Sequence, residues 1–194
     1  MFPALILILA IVLFRIAPWL GDGEALKAVS GFSPLMAFAL CSGIFLPKKW
    51  AVWFPVAAFI ASGLVINLIS DRSVFHYTGA IMILSMAAVA LAGVAVKKKA
   101  SVAAILGTSL LSTVLFYLVS NTVSFFMDAG YPQTLAGWWQ SQTTGLPGYL
   151  PTWVFGLRQV AGDLAFTALF YAAFRSTLPH PSTLRAAETF PAVA

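Results

Sequence analysis

Charge is scarce in this chain. Only 9% of its 194 residues are Asp, Glu, Lys or Arg, against 60% hydrophobic residues, which leaves too little polar surface to coat a soluble globule of that size. A single cysteine, Cys41, excludes a disulfide within the chain and leaves the redox compartment undetermined. Histidine is nearly as rare: His76 and His180 lie far apart, with no second His or Cys at metal-ligand spacing, so neither metal nor cofactor is expected. The sequence also lacks GxSxG, HExxH and CxxC motifs, a Walker lysine loop, and paired carboxylates within its apolar runs. Hydrolase, metalloprotease and ATPase chemistry have no visible machinery, and enzyme activity is not expected.

Hydrophobic length is what the chain has in abundance. Hydrocarbon about 30 Å thick demands about 20 apolar residues per spanning helix, with every backbone group satisfied inside the segment. Apolar runs predict helices over residues 2–16, 34–46, 50–69, 75–96, 101–127 and 153–175, the first two short. The expected fold is all-α: a polytopic membrane protein with six transmembrane helices in one domain, residues 1–176. The first run lacks a basic n-region, and Arg15 and Pro18 follow it without a small-x-small site, so it reads as a retained span rather than a signal peptide.

The net charge of +5 sits at helix ends rather than on one polar face with interleaved aromatics, which argues against nucleic acid as a partner and for the lipid bilayer. Lys48 and Lys49 join the second and third spans, and Lys97, Lys98 and Lys99 join the fourth and fifth. Asp22, Glu24, Asp71 and Asp128 mark the other junctions. The positive-inside rule then makes the Lys junctions cytoplasmic and puts both termini in the cytoplasm of a multi-pass protein of the cell inner membrane. Arg175 and Arg185 after the last span agree, and the Pro-rich residues 177–194 read as a disordered cytoplasmic tail.

The connections assigned to the outer side, residues 17–33, 70–74 and 128–152, are rich in Gly, Pro and aromatics, and long loops on one face point to a site there. Within residues 131–147, Trp138 and Trp139 adjoin Gln140, Ser141, Gln142 and Thr143, a mixture that suits an interfacial helix or lid, or an aromatic belt at the headgroups. The fifth span carries Ser109, Ser112, Thr113, Tyr117, Ser120, Asn121 and Ser124 on one side. The sixth carries Gly156, Gln159, Asp163 and Thr167 on one stripe, with Arg158 one residue off it. Hydroxyls in membrane helices often only glue helices together, but a full amide at Asn121 and a carboxylate at Asp163 ask for more. Asp163 is a site candidate by default, with an interhelical lock as the structural alternative. Arg158 and Asp163, five residues apart, lie about 140° apart around the helix and are not expected to pair.

Asn67 near the end of the third span and His76 at the start of the fourth are expected to join Asn121, Arg158, Gln159, Asp163, Trp138 and Trp139 around one outward-facing ligand pocket. Without a carboxylate cluster such a site suits a small, partly aromatic solute better than a bare ion. The fourth span is crowded with small residues, among them Gly79, Ala87, Ala90 and Gly93, which predicts close helix packing within the bundle.

The run Gly31-Phe32-Ser33-Pro34-Leu35-Met36-Ala37-Phe38-Ala39-Leu40-Cys41-Ser42-Gly43, and the stretch from Ser120-Asn121 through Tyr131-Pro132-Gln133-Thr134-Leu135-Ala136-Gly137 to Leu146-Pro147, resemble a bacterial membrane-protein family of unknown function. That family looks like the substrate-binding S-components of energy-coupling-factor vitamin transporters. The resemblance implies six helices with cytoplasmic termini, a pocket opening outward, capping outer loops, and energising transporter subunits as partners. The first span has Ala4 and Ala10 but not the small-x-x-x-small pair with which S-components commonly dock. The leading expectation is therefore a small-molecule (vitamin-like solute) binding or uptake component. A non-catalytic assembly or scaffold subunit is the alternative, and an acid–base site built from Asp163, His76 and Arg158 is a third and weaker one.

Overall fold

The computed structural model describes residues 15–16, 34–70, 77–97 and 101–177, and no strand occurs among them. The helices are α1 (Leu35–Phe45), α2 (Lys48–Ala51), α3 (Trp53–Ser70), α4 (Tyr77–Val96), α5 (Val102–Met127), α6 (Leu135–Gln142) and α7 (Thr152–Phe174), followed by a 3-10 turn at Arg175–Thr177. The last five expected spans agree with α1, α2 plus α3, α4, α5 and α7 to within about two residues at each end. The first expected span except Arg15 and Ile16, the connection 17–33, His76, Asp71, Lys98, Lys99 and the tail beyond Thr177 lie outside the described residues.

Three helices are long and apolar enough to cross a bilayer: Lys48–Ile69 and Val102–Met127, each with mean hydropathy 2.1, and Thr78–Val96 with 2.3. Such helices are what a membrane protein requires. α7 has 23 residues, length enough, but Arg158, Gln159 and Asp163 lower its hydropathy and keep it out of that group. α1, with 11 residues, extends about 16 Å, half the hydrocarbon thickness.

Prolines set the ends of α1. Pro34 occupies its N-cap without a side-chain cap, and Pro47 forces Leu46 into extended backbone (φ −90°, ψ 160°), which ends the helix. All residues of α1 but the last are buried, so it is the hub on which the longer helices pack. Phe38, Leu40, Cys41 and Ile44 meet Met86 and Ala90 of α4, Ile105 of α5, and Phe170 and Phe174 of α7. α1 and α4 cross where Gly43 faces Ala90 and Gly93 faces Leu40, so closely that a Cβ on either glycine would overlap a carbonyl oxygen of the other helix. The expectation of close packing by small residues in this segment is met there. Leu84, Leu91, Leu111, Leu115, Leu157 and Leu169 are exposed on the flanks, a surface suited to lipid rather than water.

α1 and α4 run the same way, because Leu35 and Met36 share a cavity with Thr78 and Met82, while Gly43 lies on Gly93. α5 and α7 run antiparallel to each other, pairing Ser109 with Thr167 and Thr113 with Asp163. The Phe45 and Phe174 rings, 5.7 Å apart, put the C-terminal ends of α1 and α7 together. Lys48, Lys49, Lys97 and Arg175 therefore share one end of the bundle. α6 and the N-terminal ends of α1, α4 and α7 form the other. Exposed Trp50 and Trp53 ring the Lys end, and exposed Trp139, Tyr149 and Trp153 the opposite one, as interfacial anchors would.

Candidate functional site

The two polar stripes face each other along the α5–α7 seam. At its centre Asp163 is fully buried. Its Oδ1 accepts from the Ala37 backbone N–H at 3.0 Å, its Oδ2 accepts from Thr113 Oγ1 at 2.8 Å, and the Met36 backbone N–H also bonds to it. Ala37 and Met36 belong to the first turn of α1, whose amides have no intrahelical acceptor and whose own N-cap is a proline. Asp163 caps that helix from across the bundle, and the positive end of α1 favours the carboxylate. One turn further along α7, Thr167 Oγ1 and Ser109 Oγ lie 2.9 Å apart. The interhelical lock weighed for Asp163 is therefore the arrangement found among the described residues.

Toward the end away from the lysines the seam opens. Tyr117 lies over Gly156, where a Cβ would come within 2.6 Å of the ring, so glycine is required for this approach. Above it a cavity of about 230 Å³ opens between α1, α4, α5 and α7. Leu35, Met36, Ile81, Met82, Phe116 and Phe155 make its apolar walls, and Thr78, Ser120, Ser124 and Gln159 supply its polar groups. Gln159 is only 9% exposed, and its Oε1 has no hydrogen-bond donor among the described residues.

Residues 131–147 form no free lid but a pinned helix. Thr134 caps α6 by accepting from the Gly137 N–H at 3.2 Å. Trp138 Nε1 donates to Thr122 Oγ1 of α5 at 3.0 Å and Gln142 Nε2 donates to the same oxygen at 3.2 Å. The Tyr117 hydroxyl donates to the Gln142 carbonyl, and Gln133 Nε2 donates to the Phe125 carbonyl at 2.8 Å. Beyond α6 the chain turns back through Gly145 (φ 70°) and Gly148 (φ 88°), left-handed positions that glycine adopts without strain. Replacing Trp138 by Phe removes the bond to Thr122 while keeping an aromatic ring at the position. The expected result is a loss of about 1 kcal/mol, seen as faster amide exchange confined to α6.

Of the expected ligand residues that are described, Gln159 alone lines this cavity. Asn121 donates from its Nδ2 to the carbonyl of Tyr117 in its own helix, at 2.8 Å. Arg158 is half-buried and forms no ion pair among the described residues, with Asp163 or otherwise. Trp138 is a clasp on α5, while Trp139 is 63% exposed. Asn67 is half-buried near the end of α3, outside the cavity walls, and His76 lies outside the described residues. Thr78, Ser120 and Ser124 line the cavity and were not among the expected ligand residues. Ser120 and Ser124, one turn apart on the α5 stripe, were the available signal.

No curated protein and no solved structure matches the chain. A family of unknown function, DUF6580, matches the chain over residues 1–184. That match carries no relation to energy-coupling-factor S-components. This chain, with its apolar helices and a half-length central helix capped by a carboxylate from another helix, belongs to the DUF6580 family.

Proposed function

We propose that this protein is a multi-pass inner-membrane protein that binds a small organic solute in the cavity between α1, α4, α5 and α7, as a binding or uptake component. One observation carries the reading: Gln159 Oε1, buried and without a donor among the described residues, at the edge of a cavity of about 230 Å³. A buried polar atom left unpaired costs about 1–3 kcal/mol, and a bound molecule that donates to it recovers that cost. Six spans with cytoplasmic termini complete the proposal, supported by Lys48, Lys49, Lys97 and Arg175 sharing one end. The cavity then opens outward. Uptake would draw its energy from partner subunits or an ion gradient.

The α5–α7 lock through Asp163 favours a second reading, an assembly or scaffold subunit whose polar stripe serves packing alone. Mass spectrometry of the gently purified chain separates the two. Binding predicts one small molecule per chain, released on denaturation and absent from Ser124→Phe, which fills the cavity; a chain that carries nothing at matched stability supports the scaffold. Orientation is tested with single cysteines in intact cells. Cysteine at Lys48 should resist an impermeant thiol reagent and cysteine at exposed Tyr149 should react, and the reverse pattern removes the outward cavity.

A further inference from the structure

We propose that the cavity, on the binding reading above, takes an uncharged, largely apolar molecule that donates one hydrogen bond from an N–H or O–H group to Gln159 Oε1. An apolar cavity of about 150 Å³ takes up benzene, so about 230 Å³ suits a substituted ring or a small bicyclic.

The described walls carry no charge: among the described residues, no Asp, Glu, Lys, Arg or His lines the cavity. Asp163, one turn beyond Gln159 on α7, is already satisfied by the first-turn amides of α1 and by Thr113. An anion would approach that carboxylate, and a cation would face the positive end of α1. Either would give up its hydration shell to walls that cannot replace it. The polar demand is specific as well. The hydroxyls of Thr78 and Ser124 can rotate to donate or accept, and that of Ser120, which donates to the Tyr117 carbonyl at 3.1 Å, can still accept, whereas a carboxamide oxygen only accepts. A bare hydrocarbon would therefore leave Gln159 unpaired.

Four ring compounds of similar size test this: benzyl alcohol, toluene, benzoate and benzylammonium, each titrated by calorimetry into the full chain in lipid nanodiscs. Subtracting the Ser124→Phe variant, whose cavity is filled, removes partition into lipid. Benzyl alcohol should bind the wild type about tenfold tighter than toluene or either ion, the effect of one buried hydrogen bond. Gln159→Leu should bring it down to the affinity of toluene; if that variant melts low, Gln159→Met takes its place. Tighter binding of benzoate or benzylammonium overturns the inference while solute binding stands. So does equal affinity for benzyl alcohol and toluene, because water then satisfies Gln159. If no compound distinguishes the wild type from Ser124→Phe, the cavity binds none of them, and the binding reading falls together with the inference.

Discussion

Replacing Asp163 with leucine is expected to destabilise the protein by about 3 kcal/mol or more, the largest effect of any single polar substitution in the bundle. The carboxylate serves three donors at once: the amides of Met36 and Ala37, and the hydroxyl of Thr113. Thr113 retains the Ser109 carbonyl at 3.0 Å as a second acceptor. The two amides have no substitute, because Pro34 offers no capping side chain and α1 is buried along its length. Asp163→Asn keeps an acceptor oxygen toward α1 and should cost only about 1 kcal/mol, with the fold retained. Thermal unfolding of the purified chain in one detergent ranks the variants. A leucine variant that melts with the wild type would mean that water reaches the start of α1 and that the cross-bundle cap is dispensable.

Gly93→Ala is expected to be nearly as damaging, although it adds a single methyl group. The new Cβ would overlap the Leu40 carbonyl oxygen, with the Gly43 Cα only 3.1 Å away, and backbone atoms held within two packed helices cannot move aside. Separating α1 from α4 would loosen the hub of the core, at a cost of about 3 kcal/mol. Gly107→Ala is the matched control. Nothing lies within 4 Å of a Cβ at Gly107, and α5 should gain about 0.5–1 kcal/mol from the better helix former. Accumulation in the membrane and melting temperature should move in opposite directions for the two variants. Equal behaviour would show that the α1–α4 crossing opens easily.

Hydrophobic run length alone determined the helical class and the ends of most helices, because hydrocarbon leaves the backbone few other ways to satisfy its polar groups. Alternation of the lysines was equally legible: Lys48, Lys49 and Lys97 share an end, as the charge pattern required. The polar stripes of α5 and α7 were visible as stripes, since a period near 3.6 places them on one face whatever that face meets. What each residue does on its stripe was not visible, because it depends on the facing helix. Asp163 became a cap only because α1 begins opposite it behind a proline, and Asn121 gives an N–H to a carbonyl within its own turn. Gln159 faces a gap because, among the described residues, Leu35, Met82 and Phe116 stand back from it. Sequence spacing fixes which face of a helix a side chain occupies; only the packing of four helices decides whether that face meets a donor, a wall or an opening.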